Sequence, residues 1–354
     1  MARRPPFPMN VTDQQAPHLP REQVPEDPEG RRLAPTSSRP VGLLFVVLLA
    51  LLLGQTAHEA LGVGSDRLDP LFDTWIHDLL MLAAATLCIA RGITYRWERA
   101  AWLLVGAGLA AYALGDVIWT GFFSDDDPAP FPTVADAFWL AWFPLGFAGL
   151  ALLVRLRIAR FEIHQWIDGI AVALLVATPG VALVLEPIIV ESEGSTLAKV
   201  ITMAYPIGDI VMLGAAIGVF ALTGWRPGRA WVLLALGLAL FVGVDSVYSV
   251  QTIEETYVEG VYDFIWPAGA LLIAFAAWQE PRRHGEVRQY GWRAIALPIL
   301  CQVFAIAIQV YAFLYGMPEG ERLLTVAVLV IVIVQVVVTR PRPGADPAGR
   351  TEPG

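Results

Sequence analysis

The chain of 354 residues is 56% apolar and 16% charged, whereas soluble domains are about one-quarter charged. A water-soluble domain could not bury this much apolar surface, so the composition indicates an integral membrane protein. The two cysteines, Cys88 and Cys301, lie separately in apolar runs, which argues against a disulfide framework and a cysteine metal site. The formal net charge is −9, and no nucleic acid partner is predicted. No cofactor is predicted either.

Residues 1–40 are rich in Pro, Arg and Glu and show no apolar periodicity. Such a composition cannot bury enough surface to offset the entropy of ordering, so we predict a disordered tail. The first apolar run begins only at Val41, which is too late for the core of a secretory signal, and the tail is expected to be retained. Residues 341–354 are predicted to form a second disordered tail.

Apolar stretches of roughly 20 residues recur from Val41 onward, and each is long enough to cross a hydrocarbon layer about 30 Å thick as a helix. The predicted fold class is all-α, a polytopic membrane bundle of about ten transmembrane helices over residues 41–340. The expected segments cover residues 41–60, 74–91, 100–121, 135–154, 166–187, 197–223, 229–250, 261–279, 293–315 and 322–339.

The basic residues divide unequally between the two ends of these segments. Of the 24 Lys and Arg residues, 21 fall in the tails and in every second loop, and only Arg67, Lys199 and Arg322 fall on the opposite side. Because cytoplasmic flanks carry the excess of positive charge, both termini are predicted to be cytoplasmic in a bacterial cell membrane. The outer loops are acidic, which either keeps them hydrated or attracts cations.

Internal repetition emerges when the chain is aligned with itself after a shift of 129 residues. An aromatic–proline pair also recurs in other helices, at positions 143–144, 205–206 and 266–267. We predict repeated two-helix hairpins, with copies at about 99–155 and 228–280, that bundle around a common axis. The shift superposes Trp102 on Trp231, Gly108 on Gly237, Tyr112 on Phe241, Asp116 on Asp245, and Trp119 on Tyr248.

Aspartates within the apolar segments form the candidate site. An ionised carboxylate at the bilayer centre costs at least about 2.5 kcal/mol, so these side chains are expected to face the bundle interior or a wet cavity. Aromatic residues lie three or four positions from most of them, on the same helical face. Such a set suits a small cationic, partly apolar ligand that arrives from outside. The predicted ligand-binding residues are Asp116, Trp119, Asp136, Trp139, Tyr205, Asp209, Asp245, Tyr248, Asp263 and Trp266.

The same residues also have a structural interpretation, in which the aromatic side chains form an interfacial belt and the carboxylates bridge helices. Prolines inside the segments, among them Pro144, Pro206 and Pro267, remove backbone hydrogen bonds and either hinge the helices or kink them statically. The sequence leaves open whether these residues bind a ligand or bridge helices, and whether the prolines act as hinges or as static kinks.

Catalytic chemistry has weak support in the sequence. The strings Leu-Gly-Asp at 114–116 and Ile-Gly-Asp at 207–209 are similar to those of intramembrane aspartyl proteases, but Ala113 and Pro206 replace one glycine of that family's Gly-x-Gly-Asp. An intramembrane aspartyl hydrolase is therefore the least favoured alternative, and no catalytic residue or metal site is predicted. The side chains with metal-donor chemistry but without tight helical spacing are His58, Glu59, His77 and Asp78.

Five strings occur in a distinctive order: Tyr-Ala-Leu-Gly-Asp-Val-Ile-Trp at 112–119, Val-Ala-Asp-Ala-Phe-Trp-Leu-Ala-Trp-Phe-Pro-Leu at 134–145, Ala-Tyr-Pro-Ile-Gly-Asp at 204–209, Gly-Trp-Arg-Pro-Gly-Arg-Ala-Trp at 224–231 and Asp-Phe-Ile-Trp-Pro-Ala-Gly at 263–269. Together they resemble the membrane sensor region of actinobacterial cyclic-di-GMP signalling proteins, over about residues 41–340. In that family the sensor precedes cytoplasmic GGDEF and often EAL domains.

The sequence carries no recognisable GGDEF or EAL domain, so the resemblance does not extend to cyclase or phosphodiesterase activity. It implies a non-enzymatic membrane sensor or receptor module that binds a small ligand from the outer side. The expected partners are the lipid bilayer, this ligand and a separate cytoplasmic signalling protein. The alternative is a proton- or cation-coupled small-molecule transporter, in which Asp209 near mid-membrane is the coupling residue.

Overall fold

The computed structural model describes residues 39–124, 130–157, 195–223, 226–253 and 262–280. These residues form seven α-helices and contain no β-strand. The predicted segments 166–187, 293–315 and 322–339 lie outside the described residues, as do nearly all of the predicted tails. The helices are α1 (Arg39–Leu61), α2 (His77–Thr94), α3 (Arg99–Phe122), α4 (Val134–Arg157), α5 (Thr196–Leu222), α6 (Arg229–Ile253) and α7 (Ile265–Ala277).

Six of the described helices, α1 to α6, are long and apolar enough to cross a membrane, as judged from length and composition. Large apolar side chains on their outer faces, such as Leu43, Val46 and Leu53 on α1, are exposed, which is the arrangement of a surface that contacts lipid. Helix α7 has 13 residues and rises only about 20 Å, less than the hydrocarbon thickness. The predicted segment 261–279 is therefore longer than the helix that it contains.

Helices α2 to α7 form a closed ring in chain order. Each helix from α2 to α6 contacts the next, α7 contacts α2, and α1 lies outside against α2 and α7. Helices α2 and α7 run parallel, because the indole N–H of Trp278 after α7 donates to the carbonyl oxygen of Leu87 in the second half of α2. Helices α4 and α5 are also parallel, since Tyr205 bonds Asp136 and Met212 lies against Gly146 farther along.

Aromatic side chains fill the centre of this ring. The ring of Phe241 on α6 packs edge-on against Tyr112 on α3, with centroids 5.5 Å apart, and lies 5.9 Å from Trp142 on α4. Tyr112 and Phe241 are the two residues that the 129-residue shift superposes. Trp142 and the superposed pair Trp102 and Trp231 are almost completely buried. The ring is therefore a packed bundle at this level.

Glycines allow α6 and α7 to approach closely. A Cβ atom at Gly237 would lie 2.7 Å from the backbone oxygen of Gly269, and a Cβ at Gly269 would lie 2.9 Å from the backbone oxygen of Gly237. Neither backbone could retreat without separating the helices. Small residues at such crossings are the usual basis of tight packing between membrane helices.

The three prolines of the aromatic–proline pairs have different positions in their helices. Pro144 lies inside α4 and Pro206 lies inside α5, where each removes a backbone hydrogen bond, as the sequence predicts. Pro267 is instead the third residue of α7. Its missing N–H would have had no partner inside the helix, because the first turn leaves its donors free. Pro267 is thus a helix-start residue and neither a kink nor a hinge.

Candidate ligand site at one end of the helix ring

Five predicted site aspartates collect at one end of the ring. Asp136 lies in the first turn of α4, Asp263 immediately precedes α7, and Asp116 and Asp245 lie toward the ends of α3 and α6. Asp209 on α5 joins them. Four of the side chains are buried, and that of Asp116 is 12% exposed, so none faces lipid.

Two indole N–H groups donate to aspartates on neighbouring helices. Trp139 Nε1 on α4 lies 2.8 Å from Asp116 Oδ1 on α3. Trp266 Nε1 on α7 lies 2.6 Å from Asp245 Oδ1 on α6. In each case a tryptophan donates to an aspartate on the preceding helix, which runs antiparallel to the helix that carries the tryptophan. A buried carboxylate accepts such bonds because it has no water to replace them.

These partners differ from the pairs expected within single helices, where Asp116 was matched with Trp119, Asp136 with Trp139, and Asp263 with Trp266. Side chains three residues apart share a helical face, but the indole N–H sits at the far end of a long side chain and reaches the adjacent helix instead. The ring of Trp119 packs against Trp139, with centroids 6.0 Å apart. That of Tyr248 packs edge-on against Trp266 at 6.2 Å.

Asp136 has a structural role at the start of α4. Its Oδ2 accepts a hydrogen bond from the backbone N–H of Thr133 at 2.7 Å, the contact that the third residue of a helix makes in a capping box. Its Oδ1 accepts from the hydroxyl of Tyr205 at 2.8 Å. Tyr205 was expected to accompany Asp209 on its own helix and instead ties α5 to α4. Both oxygens of Asp136 are therefore engaged by the protein.

Asp209 and Asp245 lie close enough to act on each other electrostatically. Two buried carboxylates at such close range would repel each other if both were charged. The sequence placed Asp209 deeper than Asp245, and the two nevertheless meet. The structure thus brings together an acid pair that sequence spacing did not predict.

His77 and Asp78 at the start of α2 also belong to this end of the ring. His77 Nε2 lies 3.9 Å from Asp116 Oδ2, and the ring lies close enough to Asp263 to interact with it electrostatically. Asp78 is buried and close enough to act electrostatically on Asp116. Sequence reasoning considered His77 only as a metal donor, and it placed Asp78 at the depth of the other acids without including it in the site. The position of both residues at the outer start of an apolar segment was the available signal.

Three buried polar atoms at this end have no hydrogen-bond partner within the described ranges. They are Asp116 Oδ2, Asp209 Oδ2 and His77 Nδ1. A buried polar group without a partner costs about 1–3 kcal/mol, and more when it is charged. Two free carboxyl oxygens and one ring nitrogen could accept hydrogen bonds from a donor-rich ligand.

The residues considered as metal donors separate into different places. His58 stacks on Phe72 and contacts Asp69 at 3.1 Å, while Glu59 accepts from Gln55. Within the part of the chain that the structure describes, no group of three or more His, Cys, Asp and Glu side chains is arranged to hold a metal ion.

A second buried charge cluster lies at the opposite end of the bundle, and the sequence analysis missed it. Glu98 accepts two hydrogen bonds from Arg157, at 2.5 and 3.0 Å, and lies 3.7 Å from Arg91. All three side chains are at most 2% exposed. Arg91 and Arg157 had been counted with the exposed loop charges. The guanidinium of Arg157 lies 5.9 Å from the rings of both Trp102 and Trp231.

No protein-family model, no curated protein and no solved structure matches the chain. The structure itself supports a multi-pass helical membrane protein with six candidate spans. The resemblance to a sensor region, the repeat and the ligand stay predictions.

Proposed function

We propose that this chain is a membrane receptor that binds a small cationic ligand between α2, α3, α5 and α6, at the end of the ring where the aspartates collect. The observation that supports it best is the presence of two buried carboxyl oxygens without hydrogen-bond partners in the described ranges, Asp116 Oδ2 and Asp209 Oδ2. Both oxygens of Asp136, by contrast, accept hydrogen bonds from the protein, so the two unbonded oxygens are the ones available for a ligand's donors.

The surroundings define the chemical class of the ligand. Tyr112 lies close enough to Asp245 and Asp116 to interact with them electrostatically, and the ring of Trp139 lies 6.4 Å from that of Tyr112. Ring faces next to carboxylates favour an organic ammonium or amidinium ion over an inorganic cation, because the apolar part of the ligand packs on the rings. An anionic ligand would meet repulsion from every acid at this end.

The test uses purified full-length protein in detergent and a panel of probes: choline, spermidine, agmatine and sodium chloride as the inorganic control. We expect at least one organic cation to raise the melting temperature in a concentration-dependent way, as a ligand specific for the native state must. Asp116→Asn and Asp209→Asn keep the side-chain shape and remove charge, and each should weaken the apparent affinity about tenfold or more.

Asp69→Asn is the matched control, because the Asp69 carboxylate is half exposed and lies outside the group of buried aspartates. It should leave the thermal shift unchanged. If no organic cation stabilises the protein, or if both Asn variants respond like the parent, the buried acids act only as bridges between helices and the receptor proposal fails.

A second candidate is proton-coupled transport, which the close approach of the two buried acids Asp209 and Asp245 favours. A transporter would release a proton from this pair when a cation binds and take it up again after the cation is released. In liposomes with an imposed pH gradient, Asp209→Asn should then abolish uptake of a bound cation while its binding stays measurable. Binding without any gradient-dependent uptake by the parent protein would leave the receptor as the function.

A further inference from the structure

A basic groove lies on the outer surface between α3 and α4, at the end of the bundle opposite the aspartates. It has a volume of about 540 Å³ and is lined by both polar and apolar side chains. Its basic lining consists of Arg96, Arg99 and Arg155, and its apolar lining includes Leu103, Leu152 and Leu156.

Two of the leucines lie deeper along the groove than the arginines. Arg99 begins α3, and Leu103 follows it by one helical turn on the same face. Arg155 lies in the last turn of α4, and Leu152 precedes it by three residues on the same face. The arginines therefore lie at the ends of the two helices, Leu103 and Leu152 lie about one turn farther toward the middle of the candidate spans, and Leu156 lies beside Arg155.

Acidic side chains in the described part of the chain do not balance the charges of the groove. Glu98 is turned inward and is used by Arg157 and Arg91. Within the described ranges, no acidic side chain forms an ion pair with Arg96, Arg99 or Arg155, and all three are exposed. Three exposed positive charges next to the apolar part of the groove are complementary to a molecule with an anionic head and hydrocarbon chains.

We propose that this groove binds one anionic phospholipid, whose phosphate lies against Arg96, Arg99 and Arg155 and whose acyl chains lie against the leucines. Basic pockets between helices at the membrane surface are suited to such head groups. The site is separate from the proposed cation site and does not depend on it. A soluble phosphate compound would bind the arginines but leave the leucine-lined part of the groove unoccupied.

The test titrates the full-length protein in neutral detergent with phosphatidylglycerol and counts bound lipid by native mass spectrometry. Each basic residue near an anionic lipid contributes roughly fivefold to affinity, so Arg96→Gln/Arg155→Gln should weaken binding about 25-fold. Arg96→Lys/Arg155→Lys keeps both charges and should retain most of the affinity. Because the substituted side chains are exposed, the melting temperature without lipid should stay close to that of the parent.

Arg226→Gln/Arg229→Gln is the matched control, since it removes one positive charge from the turn before α6 and one from the first residue of α6, and neither residue lines the groove. It should change the affinity less than twofold. The proposal is overturned if this control loses as much affinity as the groove variant, or if the groove variant binds like the parent. Equal binding of phosphatidylcholine, displacement by glycerol phosphate at the same concentration, or preferential binding of an acidic peptide would also overturn it.

Discussion

Glu98 shows at the scale of single residues how this protein tolerates charge inside a bundle. It accepts hydrogen bonds from Arg157 and from the indole of Trp102 at 2.8 Å, and Arg91 lies close by. Two guanidinium groups share one carboxylate, so the cluster keeps one positive charge. The ring face of Tyr95, 3.6 Å from the Arg91 guanidinium, stabilises part of that charge.

Replacing Glu98 should therefore be costly. Glu98→Gln leaves two buried guanidinium groups without a counter-charge, and we expect a loss of about 3–5 kcal/mol in the free energy of unfolding. The measurement is unfolding of the purified protein by SDS titration or heating. Glu280→Gln is the control, because Glu280 is exposed, and its effect should stay within about 0.5 kcal/mol. Equal stability of the two variants would contradict a structural role for the cluster.

The indole of Trp139 offers a second test at a single residue. Trp139→Phe keeps an aromatic ring but removes the N–H that lies 2.8 Å from Asp116, and it should destabilise the protein by about 1–3 kcal/mol. In Trp119→Phe only ring contacts change, since the described structure gives the Trp119 indole no hydrogen bond, and the loss should be smaller. The reverse order of the two losses would show that the bond across α3 and α4 contributes little.

At the scale of helices, the crossing of α6 and α7 depends on two glycines. Gly269→Ala and Gly237→Ala each place a methyl group less than 3 Å from a backbone oxygen of the facing helix, and each should cost about 1–3 kcal/mol. Gly243→Ala on α6 is the matched control, because a Cβ there meets no atom within 4 Å. Its better helix propensity should leave stability unchanged or slightly raised. The measurement is the melting temperature of each of the three variants.

The positions of the described helices could be predicted well, because apolar length alone identifies a membrane segment. The expected segment 100–121 differs from α3 by one residue at each end, and 135–154 lies within α4. Helix α7 was overestimated, since hydropathy counts Tyr262 and Phe264 as part of a segment although the helix begins at Ile265. Composition does not reveal the residue at which the backbone dihedral angles become helical.

Contacts between helices could not be predicted in the same way. Sequence spacing assigns side chains to a helical face but contains no information about which helix that face meets. It predicted that Asp116, Asp245 and Trp266 belong to a site, yet missed the bonds that link them to neighbouring helices. It also took Arg157 for a loop residue, because a charge at the last turn of a segment is as common at the membrane surface as inside it.

At the scale of the whole molecule, the orientation in the membrane stays a prediction from the basic residues. In a Cys301→Ser background, with Cys88 left in place because it is fully buried, Ser124→Cys and Ser195→Cys should react with an impermeant maleimide in intact cells. Arg155→Cys should react only after the cells are opened. Arg157 is unsuitable as a probe, because it is 2% exposed and would be unreactive from either side. Labelling in the opposite sense would reverse the orientation.

The contact of α7 with α2 has a consequence for biogenesis. Residues of α2 leave the ribosome long before Trp278, whose indole N–H bonds the carbonyl of Leu87, and long before Asp263, which lies close to His77. During that interval the backbone of α2 is satisfied within the helix, but the side of α2 that packs against α7 lacks its neighbour. The ring can therefore close only after α7 has been made, as a late event of synthesis.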